Sequence, residues 1–294
     1  MDVILGVIMI DKVSFKLCTY PRSKFNNKRK ETLYKFQFEN EKECSDWAKA
    51  IENCSREGDF EIEARKPKVL FIVNPFSGTK KAVGIFDKIV KPMLEIAKIR
   101  YEKLETQYAG HAAKHVSTMD LKEYDALVTI SGDGLFYEML NGLLSRQDWK
   151  EAIKTPISTI PGGSGNALST AIVGVLDPLT STFNVIKGMA KPFDIGSVLQ
   201  KNKRTFFFLA FSWGIIADVD FDSETLRWMG SARFTVNLFF SFLFFFYQSH
   251  KKNKNKKGDS FEKDNCIEEI QRKSGIHSHQ RLGTQKSRYL QLKM

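Results

Sequence analysis

The sequence has few cysteines and no hydrophobic run long enough to cross a bilayer. The four cysteines form no CxxC pair and no zinc-type spacing, which favours free thiols in a reducing compartment over a disulfide framework. The apolar run FTVNLFFSFLFFFY, at 234–247, is shorter than the about 20 residues that a spanning helix needs. It is predicted to be a buried helix or strand, and a membrane-surface contact is the second interpretation.

Signals for export and for metal binding are also scarce. The N-terminal run VILGVIMI lacks a basic segment before it, so a buried strand is favoured over a signal peptide. Of the five histidines, His111 and His115 are spaced to share a helix face, but no third ligand stands out. Exposed or capping roles are favoured for them. The core also lacks the alternation of basic and aromatic residues typical of nucleic-acid recognition, so no nucleic-acid partner is predicted.

Positive charge is concentrated in the last part of the chain. The net charge is +11, and residues 251–294 hold 12 Lys/Arg against 5 Asp/Glu. With few aliphatic residues and no clear period, the tail 249–294 is predicted to be basic and disordered. Contact with acidic lipid or nucleic acid is the secondary interpretation of such a tail.

The residue pattern divides the chain into an N-terminal part, an α/β domain, a β-rich segment and the tail. Residues 1–65 show short strands and one helix that carries Trp47, and they end in a charged linker. This arrangement resembles part of a pleckstrin-homology module, with a family-specific extension as the alternative. Residues 66–176 alternate buried strands with helices, which predicts a doubly wound, Rossmann-like nucleotide-binding domain. Residues 177–248 predict an incomplete β-rich second domain.

Three glycine-rich loops follow consecutive strands of the α/β domain. They read NPFSGTKK at 74–81, SGDG at 131–134 and PGGSGNAL at 161–168, and none is a Walker A loop. Each alone is equally well an ordinary strand-to-helix turn. Together, on one edge of one sheet, they predict a site for phosphate groups. Asp133 is then a turn residue, an N-cap of the next helix, or a proton acceptor that its two flanking glycines leave unshielded.

Four motifs carry a family resemblance. VNPFSG, SGDGLFYEMLNGL, PGGSGNALS and SWGIIADVD occur in the order and spacing of the diacylglycerol, ceramide and sphingosine kinases. The SGDG form, the GSGNAL ending and the stretch WGIIADVDFDSE resemble the sphingosine kinases most. The resemblance covers roughly residues 68–246.

The resemblance implies roles for individual residues. Asp133 is similar to the general base that takes the proton from the lipid hydroxyl. Asp220 matches the acid that holds the polar head of a long-chain base, and Asp133 also borders that substrate. The positions that match nucleotide contacts of the family are Asn74, Pro75, Phe76, Thr106, Ser131, Gly132, Gly134, Glu138, Gly163, Ser164, Gly165, Arg227 and Arg233. No residue is assigned to a metal.

The implied reaction is transfer of the ATP γ-phosphoryl group to sphingosine with Mg²⁺ as a cofactor. A sphingoid base carries an ammonium group that a carboxylate such as Asp220 complements, whereas ceramide and diacylglycerol do not. The resemblance further implies a cytoplasmic protein that associates peripherally with a membrane surface, and it leaves a homo-oligomer open. Ceramide or diacylglycerol kinase activity is the alternative.

The sequence departs from this family after Tyr247. Family members complete a β-sandwich and return an Asp-Gly-Glu segment to the nucleotide and its metal, and no such segment follows here. We therefore expect a truncated or alternatively spliced product, or an incomplete gene prediction. An inactive form that binds nucleotide or a partner is the corresponding alternative function.

Overall fold

The computed structural model describes residues 3–55, 67–76, 80–163, 165–188, 190–210 and 290–293, together with six isolated positions between 222 and 239. The chain divides into two compact units, one of residues 1–211 and 288–294 and the other of residues 212–287. All six described positions of the second unit are helical; they fall in a segment expected to be β-rich, although its run 234–247 was expected to be either helix or strand. An apolar, phenylalanine-rich run cannot be assigned to helix or strand from periodicity alone, which explains the difference. Most of the run 234–247 lies outside the described residues.

A six-stranded, mostly parallel sheet forms the centre of the first unit. Its strands are β4 (Lys68–Val73), β5 (Arg100–Glu105), β6 (Ala126–Ser131), β7 (Ile157–Pro161), β8 (Ala190–Phe193) and β11 (Leu290–Lys293). They lie in the order β5-β4-β6-β7-β11-β8. In this order β5, β4, β6, β7 and β11 run parallel to one another, and β8 pairs antiparallel with β11. The chain places β5 on one side of β4 and then β6 on the other side, so the strand order reverses between β4 and β6. Doubly wound nucleotide-binding folds share this kind of reversal.

Helices cover both faces of this sheet. They are α2 (Ala82–Ile85), a π-helical turn (Phe86–Val90), α3 (Lys91–Ile96), α4 (His111–Thr118), a 3₁₀ turn (Leu121–Glu123), α5 (Asp133–Leu144), α6 (Trp149–Ala152), α7 (Ala167–Val173) and α8 (Pro178–Lys187). Alternate residues of β4 face opposite sides, so that Leu70 and Ile72 pack with α4, α5 and α6. Phe71 and its neighbours pack with the π-helical turn, α3 and α8 on the other face. The predicted α/β fold class is confirmed.

Helix α8 and strand β11 differ from the sequence-based expectations. α8 begins after the expected boundary at residue 176, yet it packs on β7 and the π-helical turn, so the α/β layer extends at least to Lys187. β11 places residues 290–293 of the expected disordered tail in the sheet. Its partners, β7 and β8, lie more than 90 residues away in sequence, which no local pattern could indicate. The rest of the tail lies outside the described residues.

Strands β9 (Gly196–Gln200) and β10 (Lys203–Phe207) form an antiparallel hairpin in the segment that was expected to be β-rich. Asn141 of α5 joins this hairpin to the helix through both atoms of its amide. Its Nδ2 donates to the Phe206 carbonyl oxygen at 3.0 Å, and the Phe206 N–H donates to its Oδ1 at 2.9 Å. The rings of Phe136 and Phe208 pack edge to face beside this pair. The hairpin is therefore held on the helix that begins at Asp133.

The N-terminal part is an antiparallel meander covered by a helix. It contains β1 (Ile4–Met9), β2 (Ser14–Thr19), β3 (Thr32–Gln37) and α1 (Glu41–Ser55). Phe15 and Cys44 are buried between the meander and α1. The meander also docks on the α/β layer, since a Cβ on Gly6 would lie 2.7 Å from the Ile96 carbonyl oxygen. Within the described residues, no helix is both long enough and apolar enough to cross a membrane.

Candidate active site

The candidate site lies at the carboxyl ends of β4 and β6, where the strand order reverses. In open α/β sheets this crevice is the usual place for ligands, because neighbouring loops diverge to opposite faces of the sheet. The loop after β4 begins beside the end of β6, where the Asn74 N–H donates to the Ile130 carbonyl oxygen at 3.4 Å. The loop after β7 joins them, since the Gly162 N–H donates to the Ser131 carbonyl oxygen at 3.0 Å. The three glycine-rich loops thus lie along one edge of the sheet, as predicted.

Asp133 is the first residue of α5, and its carboxylate is bound by the first turn of a different helix. Its Oδ2 accepts the N–H of Ala167 at 2.8 Å, and its Oδ1 accepts the N–H of Leu168 at 3.1 Å. The expected capping role is therefore present, but for α7 and not for α5, whose start has no side-chain cap. Each carboxylate oxygen has two acceptor positions, so these bonds orient the group and leave room for a substrate hydroxyl.

The two glycines that flank Asp133 differ in their surroundings. A Cβ on Gly132 would lie 2.6 Å from the Gly165 carbonyl oxygen, whereas a Cβ on Gly134 would have no heavy atom within 4 Å. Both were expected to clear space for ligands. That interpretation holds only for Gly134, because the space beside Gly132 is filled by the loop after β7. Gly132 instead permits the close approach that brings Asp133 to α7.

The loop after β7 is closed by one side chain. The Gly163 N–H donates to Asn166 Oδ1 at 3.2 Å, and Asn166 Nδ2 donates to the Gly163 carbonyl oxygen at 2.7 Å. Beside this loop lies a pocket of about 140 Å³. Its lining residues are Lys81, Ile85, Pro161, Gly162, Gly163, Asn166, Leu176 and Pro178. Lys81 supplies one cation that suits an anionic ligand, whereas the N–H groups of Gly162 and Gly163 are already bonded to Ser131 and Asn166.

The loop after β4 and the end of β5 complete this edge of the sheet. Asn74 Oδ1 accepts the N–H of Phe76 at 2.9 Å, which fixes the turn that carries Pro75. The Phe76 ring is exposed. Thr106 is buried, and its N–H and hydroxyl both donate to the Val73 carbonyl oxygen, at 2.9 and 3.4 Å. Thr106 therefore joins the ends of β4 and β5 and supports the start of the loop after β4.

Glu138 lies one turn beyond Asp133 on α5 and points to α4. Its Oε2 accepts the N–H of Gly110 at 3.0 Å, just before the start of that helix. Burial raises the pKa of Glu138, and the N–H groups of Gly110 and Ala112 partly offset this effect. His111 does not cap α4, whose start has no side-chain cap; its Nδ1 instead accepts the N–H of Gln107, in the loop before the helix, at 3.1 Å. Its ring stacks on the exposed Tyr108.

Several predicted site residues lie outside the described residues. They are Ser164, Asp220, Arg227 and Arg233. Their roles remain predictions. The described part of the chain also contains no group of three His, Cys, Asp or Glu side chains placed to hold a metal ion. Mg²⁺ in such sites is commonly held by one or two carboxylates together with the substrate phosphates, so a group of three protein ligands is not required.

Two residues of this region, Ala167 and Leu168, had no assigned role in the sequence-based site. The N–H groups of Ala167 and Leu168 hold Asp133 across 34 and 35 residues, a separation that leaves no local signal. Asn166 directly precedes α7, and an asparagine at this position usually indicates an N-cap. Its side chain instead bonds Gly163.

Part of the chain matches a known protein family. Residues 68–198 match the family described as the diacylglycerol kinase catalytic domain. Over these residues the chain is similar to that lipid-kinase family, and the predicted resemblance is confirmed. The match includes the three glycine-rich loops and Asp133.

Several curated relatives that the chain resembles are sphingosine kinases. Sphingosine kinase 1 of Arabidopsis thaliana is 44% identical over 179 residues, which cover 58% of this chain and 36% of that protein. Sphingosine kinase 2 of Homo sapiens is 38% identical over 249 residues, 76% of this chain and 38% of that protein. A crystal structure of a diacylglycerol kinase from Bacillus anthracis str. Sterne matches with a TM-score of 0.40 and 26% identity, over 48% of this chain and 46% of that chain. The chain thus spans under half of the length of these proteins.

Proposed function

We propose that this protein is an ATP-dependent lipid kinase that phosphorylates the primary hydroxyl of sphingosine or a related long-chain base. One observation carries the proposal. Asp133 lies at the reversal point of a doubly wound sheet, and two backbone N–H groups fix its carboxylate beside three glycine-rich loops. The similarity of the chain to sphingosine kinases supports the choice of lipid.

The chemistry assigned to these residues is proton acceptance and phosphate binding. Asp133 accepts the proton of the lipid hydroxyl. The hydroxyl oxygen attacks the γ-phosphorus of ATP, and the bond between this phosphorus and the leaving ADP oxygen breaks. A carboxylate is a weak base toward an alcohol, so its main contribution is to orient the hydroxyl. The ammonium of Lys81, which lines the pocket beside the loop after β7, is suited to the phosphate oxygens.

The residues outside the described part complete the proposal. Arg227 and Arg233 would bind ATP phosphates, and Asp220 would bind the ammonium of the sphingoid base. Mg²⁺ would neutralise charge on the nucleotide phosphates when bound. We further propose a cytoplasmic protein that associates peripherally with membranes, where its lipid substrate resides.

The lipid class is tested with the purified full chain, labelled ATP and Mg²⁺. Sphingosine, ceramide and diacylglycerol are presented separately in the same detergent micelles, and an Asp220→Asn variant is run in parallel. We expect the labelled phosphate to appear in sphingosine. The Asp220→Asn variant should lose turnover, and this loss should be confined to lipids with an ammonium group. Label in ceramide or diacylglycerol alone would identify the alternative lipid class. ATP binding without any product would identify an inactive form.

A further inference from the structure

The loop between β2 and β3 presents one fully exposed aromatic ring among cations. We call residues 21–30 the basic loop. Phe25 lies at its tip with 101% of its surface exposed, as in an isolated peptide. The other exposed side chains of the basic loop include four cations and no acid: Arg22, Lys24, Lys28 and Lys30. A single exposed aromatic is unremarkable in itself, so its surroundings decide its meaning.

Local hydrogen bonds hold the tip of the basic loop in one conformation. The Ser23 N–H donates to the Lys28 carbonyl oxygen at 2.8 Å, and the Asn27 N–H donates to the Ser23 carbonyl oxygen at 3.1 Å. Asn27 adopts a left-handed conformation with φ of 60°, which asparagine tolerates better than most residues. The turn therefore projects Phe25 away from the body of the protein instead of letting it fold back.

The base of the basic loop is fixed to the α/β layer. Arg29 is buried, its N–H donates to Thr180 Oγ1 of α8 at 2.9 Å, and its guanidinium lies 4.0 Å from the centre of the Phe183 ring. Pro178, at the start of the same helix, lines the pocket beside Gly163 and Asn166. The basic loop is thus connected through one helix to the candidate phosphate site.

We propose that the basic loop is a membrane-docking element that inserts Phe25 into the interface of an anionic bilayer while its four cations contact lipid headgroups. Cations near an anionic surface and an aromatic ring at the headgroup level each favour binding. Single-stranded nucleic acid is less suited, because its sites stack successive bases on several aromatic rings along a groove. This inference rests on the proposed function, since a lipid substrate makes a membrane the expected partner.

The test measures how much of the full chain sediments with sucrose-loaded vesicles of phosphatidylcholine. The vesicles are prepared with and without about 30 mol% phosphatidylserine, which gives a strong anionic surface. Two variants alter the basic loop, Phe25→Ala and the double variant Lys24→Glu/Lys28→Glu. Each should bind anionic vesicles at least about tenfold more weakly than wild type. Their melting temperatures and their kinase activity in detergent micelles should stay unchanged.

Matched controls lie on the opposite face of the sheet. Trp149→Ala removes an exposed aromatic from α6, and Lys114→Glu/Lys150→Glu makes the same change in net charge on α4 and α6. Both controls should bind vesicles like wild type. The proposal is overturned if the loop variants bind like wild type, if the controls lose binding equally, or if wild type prefers single-stranded RNA to the vesicles. Kinase activity in micelles is scored separately, so failure of docking is distinguishable from failure of the proposed reaction.

Discussion

The Asp133 carboxylate accepts the N–H of Ala167 at 2.8 Å, so the start of one helix fixes the acid at the start of another. The two residues come from loops after adjacent parallel strands, β6 and β7. The contact depends on Gly132, because any side chain there would meet the Gly165 carbonyl oxygen. The position of the candidate base is therefore set by packing between two loops.

The glycines around Asp133 give a matched pair of variants. Gly132→Ala should destabilise the protein by about 1–3 kcal/mol, because its Cβ meets a backbone oxygen that cannot move freely. Gly134→Ala should keep or slightly raise stability, because the position is helical and open. Urea denaturation measures both. If Gly134→Ala is stable but loses kinase activity, the open space above it is used by substrate. Equal stability of the two variants would contradict the assigned packing.

Glu138 should make stability depend on pH. Its folded-state pKa is raised by burial, so its contribution to stability is present below the unfolded value and is lost as the pH rises through the folded value. Glu138→Gln stays neutral, so its stability relative to wild type should increase between pH 4 and pH 7. Unfolding by urea at constant ionic strength checks this. Glu95→Gln, at an exposed position of α3, is the control and should show no such trend. Parallel curves for Glu138→Gln and wild type would contradict the prediction.

Asn141 should hold the β9–β10 hairpin on α5. Asn141→Ala removes two hydrogen bonds to Phe206 and should cost about 1–3 kcal/mol. Hydrogen exchange at the Phe206 amide should become faster. Asn141→Asp keeps an acceptor for that amide but loses the donor to the carbonyl, so it should not restore full stability. Unchanged exchange in Asn141→Ala would show that the hairpin is held by other contacts.

Arg29 should anchor the N-terminal meander to the α/β layer. Its Nη1 donates to the Tyr20 carbonyl oxygen at 2.7 Å, and its guanidinium packs on Phe183. Arg29→Ala should destabilise the protein by about 2–3 kcal/mol, because a buried charged hydrogen bond and a cation–π contact are lost together. Arg22→Ala, at an exposed position of the same loop, should change stability by less than about 0.5 kcal/mol. Equal losses in the two variants would contradict this anchoring role.

The sequence predicted the parts of the structure that depend on local pattern. β6 spans Ala126–Ser131, as expected from a buried run of six residues, and the loop after it begins the predicted site. Non-local pairings could not be predicted. The capping of α7 by Asp133 and the closure of a loop by Asn166 depend on how separate segments meet in space. β11 illustrates the same limit, because its sequence carries no sign of its partners.

The central claim is that Asp133 is the base of a lipid kinase, and the Asp133→Asn variant tests it most directly. The full chain is incubated with labelled ATP, Mg²⁺ and sphingosine, and ATP affinity and melting temperature are measured for both proteins. An amide oxygen can still accept one of the two N–H groups, so we expect the variant to fold and bind ATP. Its turnover should fall by about 10²–10⁴-fold. A folded variant that retains more than about a tenth of wild-type turnover, above the expected range, would contradict the account.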